Sequence, residues 1–262
     1  DSQKMAEDLQ SMVIQLDEPL ADPASLNVRY ISQLAKEQGI KVLLSGAGGD
    51  DIFTGYRRHY ALEVEKHWSW LPKNIRRLME STSLHLNNNK PIQRSLSKLL
   101  NGASLDNDER LINYFRWTSD VTIKSLYSPA MQELMKDSDA NFPMSDFIPE
   151  LSSNISRLDQ MLAIEQRFFL ADHNLNYTDK MSMAVGLEVR VPFLDQDLIE
   201  FAAHIPNKYK QRGHAGKWVL KKAMESYLPK DIIYRPKSGF GVPLRRWLKE
   251  DLKELLGDLL SV

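Results

Sequence analysis

The apolar run Ile40-Lys41-Val42-Leu43-Leu44 ends at Ser45, and three of the next four positions are glycine: Gly46, Gly48 and Gly49, interrupted by Ala47. Asp50 and Asp51 follow, then a helix-like stretch to Tyr60. A short apolar run with these neighbours reads as a buried parallel strand. Upstream, Leu26, Tyr30, Ile31, Leu34 and Ala35 have helical spacing over 24–38, and Gly39 supplies the stop. Helix, tight turn, strand, glycine loop and helix is the order of a doubly wound α/β sheet, where ligands sit beyond the carboxyl ends of the strands. The loop at 45–51 occupies that place.

Two familiar glycine loops fail on inspection. A dinucleotide fingerprint starting at Gly46 and Gly48 needs glycine where Asp51 stands. A Walker loop ending at Gly216-Lys217 needs glycine at Gln211 and serine or threonine at Trp218. What remains is a strand and a glycine turn that let backbone N–H groups approach a ligand, leading to a helix N-terminus that favours anions by about 0.3–1 kcal/mol. Asp50 and Asp51 would repel a phosphate unless a divalent cation stood between, and magnesium binds in this way through one or two carboxylates plus phosphates and water. A plain tight turn with an aspartate as helix cap is the other reading, and the stretch by itself leaves both open.

Charge and cysteine content narrow the partners. Lysine plus arginine number 34 against 35 aspartate plus glutamate, a formal net charge of -1, so there is no general field for nucleic acid or an anionic membrane and any anion site must be local. Cysteine is absent, which removes thiol catalysis and disulfides. With no long apolar run and no signal pattern, a cytoplasmic location is expected.

The opening 1–19 reads as a short helix. From about Ala61 onward the chain reads as short helices separated by Pro, Asn and Gly, as in "HWSWLPKNIRRLM" and "PIQRSLSKLLNG". Ile155, Leu158, Leu162 and Phe169 mark one long helix, and Leu198, Phe201, Ala202 and Ile205 another that Asp195 can cap. Val219, Ala223 and Tyr227 mark a third, ended by Pro229, and Leu248, Leu252, Leu255, Leu256 and Leu259 lie on one face of the last. All these stripes are expected to be core.

Three ordered blocks carry a family resemblance: "LLSGAGGDDIFTGY" at 43–56, "DKMSMAVGLEVRVPFLD" at 179–195, and "GKWVLKKAMESYLPKDIIYRPKSGFGVPL" at 216–244. Together they resemble the carboxyl-terminal synthetase domain of the asparagine synthetase family. The resemblance implies an α/β fold of the adenine-nucleotide hydrolase type, a partial Rossmann-like parallel sheet over 1–60 followed by a mainly helical part over 61–262. It also implies ATP and magnesium, a carboxylate activated as an acyl-adenylate, and an amine that then forms the amide. The carboxylate would be aspartate or an analogue, the amine would come from a glutaminase domain or free ammonia, and a homodimer is allowed.

By the same resemblance Ser45, Gly46 and Gly48 would contact the nucleotide, Asp50 would hold magnesium, Lys217 would stabilise charge on the leaving phosphates, and Lys237 would bind ATP. Asp51 remains a less certain ligand than Asp50. Glu188 matches a carboxylate that related amide-forming enzymes use in acid–base work. Glu188 and Arg190 lie two apart, so in extended backbone they share a face, expected to be a buried polar wall; a structural ion pair is the alternative. Arg235, Lys237 and Arg245 form a local basic cluster suited to phosphate or carboxylate, or else a solvated surface run.

Two departures restrict this reading. The family's Ser-Gly-Gly-x-Asp-Ser loop, which lies upstream of these blocks, does not occur in the chain, nor does the cysteine of the glutaminase domain. The chain therefore looks like the carboxyl-terminal part of a longer enzyme, inactive alone, and a non-catalytic nucleotide-binding or scaffolding module is the competing reading. Ala47 also stands where asparagine-forming members have an acidic residue, and a methyl group neither takes a proton nor orients an amine. Either a divergent asparagine synthetase or an amidotransferase for another acid is expected.

Overall fold

The computed structural model describes residues 2–87, 90–236, 248–250 and 252–261. Contacts divide the chain into two compact units, one of Asp1–Ile52, Gln166–Ile205 and Val219–Val262, the other of Phe53–Glu165 and Pro206–Trp218.

In the first unit the helices Ser2–Gln15 and Ala24–Glu37 form where the apolar spacing predicts them. Met12, Leu16, Leu26, Met181 and Leu252 make their shared core. The second helix ends at Gly39, whose φ of 77° is open to glycine at no steric cost, and the Ile40 N–H reaches back to the Ala35 carbonyl at 3.0 Å. That turn delivers strand β1 (Val42–Leu44), which pairs in parallel with β2 (Glu188–Arg190) in the register Val42 to Glu188 and Leu44 to Arg190. Across the same turn the Lys36 ammonium donates to the Val185 carbonyl at 2.6 Å, tying the approach to β2 to the helix before β1.

The expected burial of 40–44 is corrected. Ile40 is 44% exposed and Leu44 72%. A parallel strand is buried only when further layers cover both its faces, and among the described residues the sheet has two strands. Other apolar stripes also differ from expectation. Asp195 does cap Gln196–His204, accepting from the N–H groups of Asp197 and Leu198, and Ala202 is buried, yet Phe201 is exposed. Tyr227 lies past the end of Trp218–Met224 and is exposed, as is Leu259 in Lys253–Leu260. The single long helix expected through Phe169 is an α-helix, Arg157–Ile164, that widens into a π-helical stretch over Glu165–Leu175 before Asn176–Met183. Among the described residues no helix is long and apolar enough to cross a membrane.

The second unit is helical, as its sequence indicates. Prolines start several of its helices, among them Pro91–Leu100 and Pro129–Leu134, where the missing N–H costs nothing. Its interior is fastened by a buried arginine. Arg76 in Lys73–Leu84 donates to the carbonyls of Leu71 at 3.0 Å and of Ala103 and Leu105 at 2.8 Å each, and pairs with Asp106. Hydrogen bonds from Lys73 and then Arg76 hold the Asp106 carboxyl at about 2, below its ordinary 3.8.

Replacing Arg76 with methionine keeps the apolar stem and leaves three carbonyls unsatisfied, so urea unfolding should show a loss of about 3 kcal/mol. In the unaltered protein the Asp106 contribution is complete above pH 3.8 and is lost as the pH falls toward about 2, because the folded-state value is depressed. Asp106→Asn should flatten that part of the acid unfolding curve.

Candidate functional site

The parallel ladder sets the position of the glycine loop. It continues one step past β1, where the Ser45 N–H donates to the Arg190 carbonyl at 2.8 Å. The Ser45 hydroxyl then accepts from the Ala47 N–H at 3.2 Å, curling the chain back on itself. Gly48, with φ at 88°, is buried against Leu194, and Gly49 lies beside the Phe193 ring. The Gly48 carbonyl accepts from the N–H groups of Asp51 and Ile52, each at 3.0 Å, which starts the short helix Gly49–Phe53. Beside Gly46 nothing lies within 4 Å of where a Cβ would stand, so the backbone there faces open space, the condition for close approach of a ligand.

The two aspartates differ. Asp51 is 1% exposed, and its charge helps, after burial and Asp22, to push the Tyr177 phenol up to about 12. Asp50 is half-buried at the start of the helix. Carboxylate oxygens are the hard donors that magnesium and calcium prefer. Among the described residues no group of three or more His, Cys, Asp or Glu is placed to hold a metal ion. A cation here would be held by one or two carboxylates and completed by phosphate and water, which suits magnesium.

The first and second sequence blocks thus meet through β1, β2 and the loop. Glu188 and Arg190 share a face as expected, and the Arg190 Nε donates to Glu188 at 2.8 Å, but the face is exposed rather than buried: their side chains are 54% and 64% accessible. The hydrogen bond to Glu188 raises the Arg190 pKa above its ordinary value. The physical reason is again the two-stranded sheet, which leaves this face open. Arg235 is exposed, and Lys237 and Arg245 lie outside the described residues.

Lys217 belongs to the other unit, directly before the helix Trp218–Met224. It is half-buried and has φ at 54°, a left-handed conformation. Its N–H donates to the Phe53 carbonyl at 3.0 Å and approaches the Thr54 hydroxyl at 3.2 Å. Thr54 is itself left-handed, φ 67°, a conformation that costs a β-branched residue about 1–3 kcal/mol. The Thr54 hydroxyl donates to the Lys210 carbonyl at 3.0 Å. Beside it Gly216 packs backbone to backbone on Gly55, where a Cβ would stand 3.0 Å from the Gly55 Cα.

A buried cluster braces this turn. His59 accepts at Nδ1 from the Gly55 N–H at 3.0 Å, which leaves Nε2–H to donate to Glu165 at 3.1 Å. Arg58 makes a paired contact with the same carboxylate. His59 and Glu165 are fully buried. The local sequence marks these residues only by a glutamate set among the apolar side chains of "MLAIEQRFF".

The family model for asparagine synthase matches residues 1–262. The chain belongs to the asparagine synthase family. It is 28% identical over 257 residues to asparagine synthetase (glutamine-hydrolyzing) 1 of Bacillus subtilis, covering 97% of this chain and 39% of that protein. It is 31% identical over 243 residues to a putative asparagine synthetase (glutamine-hydrolyzing) of Mycobacterium bovis, covering 92% and 35%. A protein named amidase chyE from Penicillium rubens is 24% identical over 278 residues, covering 98% and 41%. The chain therefore spans 35–41% of the length of these relatives. No solved structure gives a significant match.

Gly48→Ala combines a strained φ with overlap on the Leu194 side chain. It should lower stability by about 2 kcal/mol in denaturant unfolding, and Leu194→Ala in the same chain should recover only the steric share, since the backbone strain remains.

Proposed function

We propose that this chain is the synthetase part of an ATP-dependent amide-forming ligase. Support comes chiefly from the family match over the whole chain, which includes the glycine loop at the carboxyl end of β1. In this reading a carboxylate oxygen of the substrate attacks the α-phosphorus of ATP, pyrophosphate departs, and an amine then attacks the activated carbonyl to release AMP. Glutamine, through a glutaminase domain elsewhere in the protein, or free ammonia supplies the amine.

Each residue then has a task that the family resemblance gives it. The open backbone at Gly46 and the curl at Ser45 receive the nucleotide, with Gly48 fixing the curl against Leu194. Asp50, with Asp51 behind it, would hold magnesium, which when bound screens phosphate charge. By the family resemblance Lys217 would supply a cation where negative charge grows on the leaving phosphates, an interaction worth most in the transition state. Glu188, oriented by Arg190, is the group available to move a proton during amide formation. Lys237 is proposed as a further phosphate contact on the strength of the family resemblance.

Ala47 leaves the carboxylate substrate open between aspartate and another acid. The name amidase carried by the Penicillium relative favours looking beyond aspartate.

ATP–pyrophosphate exchange in the full-length protein tests this reading. Asp50→Ala and Lys217→Ala should each cut substrate-dependent exchange by about 100-fold or more. ATP binding without any exchange in the unaltered protein, across a panel of carboxylic acids, would replace the ligase with a non-catalytic nucleotide-binding module.

A further inference from the structure

We infer that Thr54 is a positioning residue for Lys217. The inference rests on the reading above, in which the Lys217 ammonium faces the departing phosphates.

Two left-handed, non-glycine residues meet here, Thr54 with φ 67° and Lys217 with φ 54°. A single hydroxyl joins them. The Thr54 Oγ1 gives its proton to the Lys210 carbonyl at 3.0 Å and receives the Lys217 N–H at 3.2 Å, so it grips the 210–217 segment at both ends. The Phe53 carbonyl shares the same N–H at 3.0 Å. Gly216 and Gly55 approach so closely that only glycine at 216 admits the contact without displacement. These constraints fix the φ of Lys217, and therefore the direction in which its side chain leaves the backbone.

The strain at Thr54 is sustained from below. Gly55 is anchored by its N–H to His59, His59 is oriented by Glu165, and Glu165 is held by Arg58. Thr54, His59 and Glu165 are all buried, so no water competes for these bonds. A threonine that served packing alone would need neither a left-handed backbone nor a hydroxyl with a partner on each side. Strain of this kind persists where the surroundings over-determine it, commonly beside working groups.

Thr54→Val removes the hydroxyl at constant shape, and Thr54→Ser retains it. In the full-length protein the valine variant should lower kcat for ATP–pyrophosphate exchange by about 10- to 100-fold with KM for ATP within about twofold, while serine stays within about threefold of the unaltered protein. A readout independent of turnover is the acetylation rate of the Lys217 amine by acetic anhydride, followed by peptide mass spectrometry; it should change in the valine variant and not in the serine one. Thr54→Gly, which accepts the left-handed backbone without a Cβ, replaces valine if the latter does not fold, with the same expectation. If Lys217→Ala abolishes exchange while Thr54→Val or Thr54→Gly leaves kcat and labelling unchanged, the positioning role is overturned and the ligase reading stands. Exchange that survives Lys217→Ala overturns the assignment of Lys217, and this inference with it.

Discussion

The parallel pairing of β1 with β2 is the constraint from which the site follows. Its register, Val42 to Glu188 and Leu44 to Arg190, brings the glycine loop beside the chain that follows β2. One further ladder bond, from the Ser45 N–H to the Arg190 carbonyl, fixes where the loop begins to curl. The 3-10 turn after β2, Pro192–Leu194, then supplies the side chains that buttress Gly48 and Gly49. A slip of one residue would turn Glu188 and Arg190 to the opposite face and take Leu194 away from Gly48. Two short blocks that look independent in the sequence, 43–56 and 179–195, are thus one piece of backbone hydrogen bonding.

Features of the fold with a local cause were legible in the sequence. Gly39 as a helix stop, Asp195 as a cap and the helix over 24–37 each depend on residues within a turn or two, and each is present. The glycine loop was legible because an apolar run followed by glycines has few uses. Burial was less legible: Leu44 and Phe201 have the composition of core and are exposed, because exposure depends on which layers lie above a strand or helix and not on the residue itself. The bracing of Lys217 could not be read at all. The bond that joins it to Thr54 spans 163 positions, and no periodicity or spacing encodes a left-handed threonine.

The near neutrality of the chain is resolved inside it as pairs. Glu165 faces Arg58, Glu65 faces Arg110 at 3.0 Å, and Lys210 faces Asp159 at 3.6 Å. Burial lowers the Lys210 pKa below its ordinary value, and the Asp159 carboxylate opposes that shift. Such pairs add little net stability against the cost of removing them from water, but they admit few geometries. Two of them adjoin the left-handed Thr54: Glu165 orients the His59 that holds Gly55, and the Lys210 carbonyl accepts from the Thr54 hydroxyl.

The order of the chain has a consequence for how it is made. The unit that contains the sheet is drawn from three separated stretches, and its Lys36–Val185 bond closes over 149 residues. A ribosome adding roughly 5–20 residues per second releases β1 on the order of ten seconds before β2 exists. Throughout that interval β1 lacks its β2 partner, and most of the helical unit is made before that partner appears. The glycine loop is therefore synthesised well before the pairing that sets its shape can form.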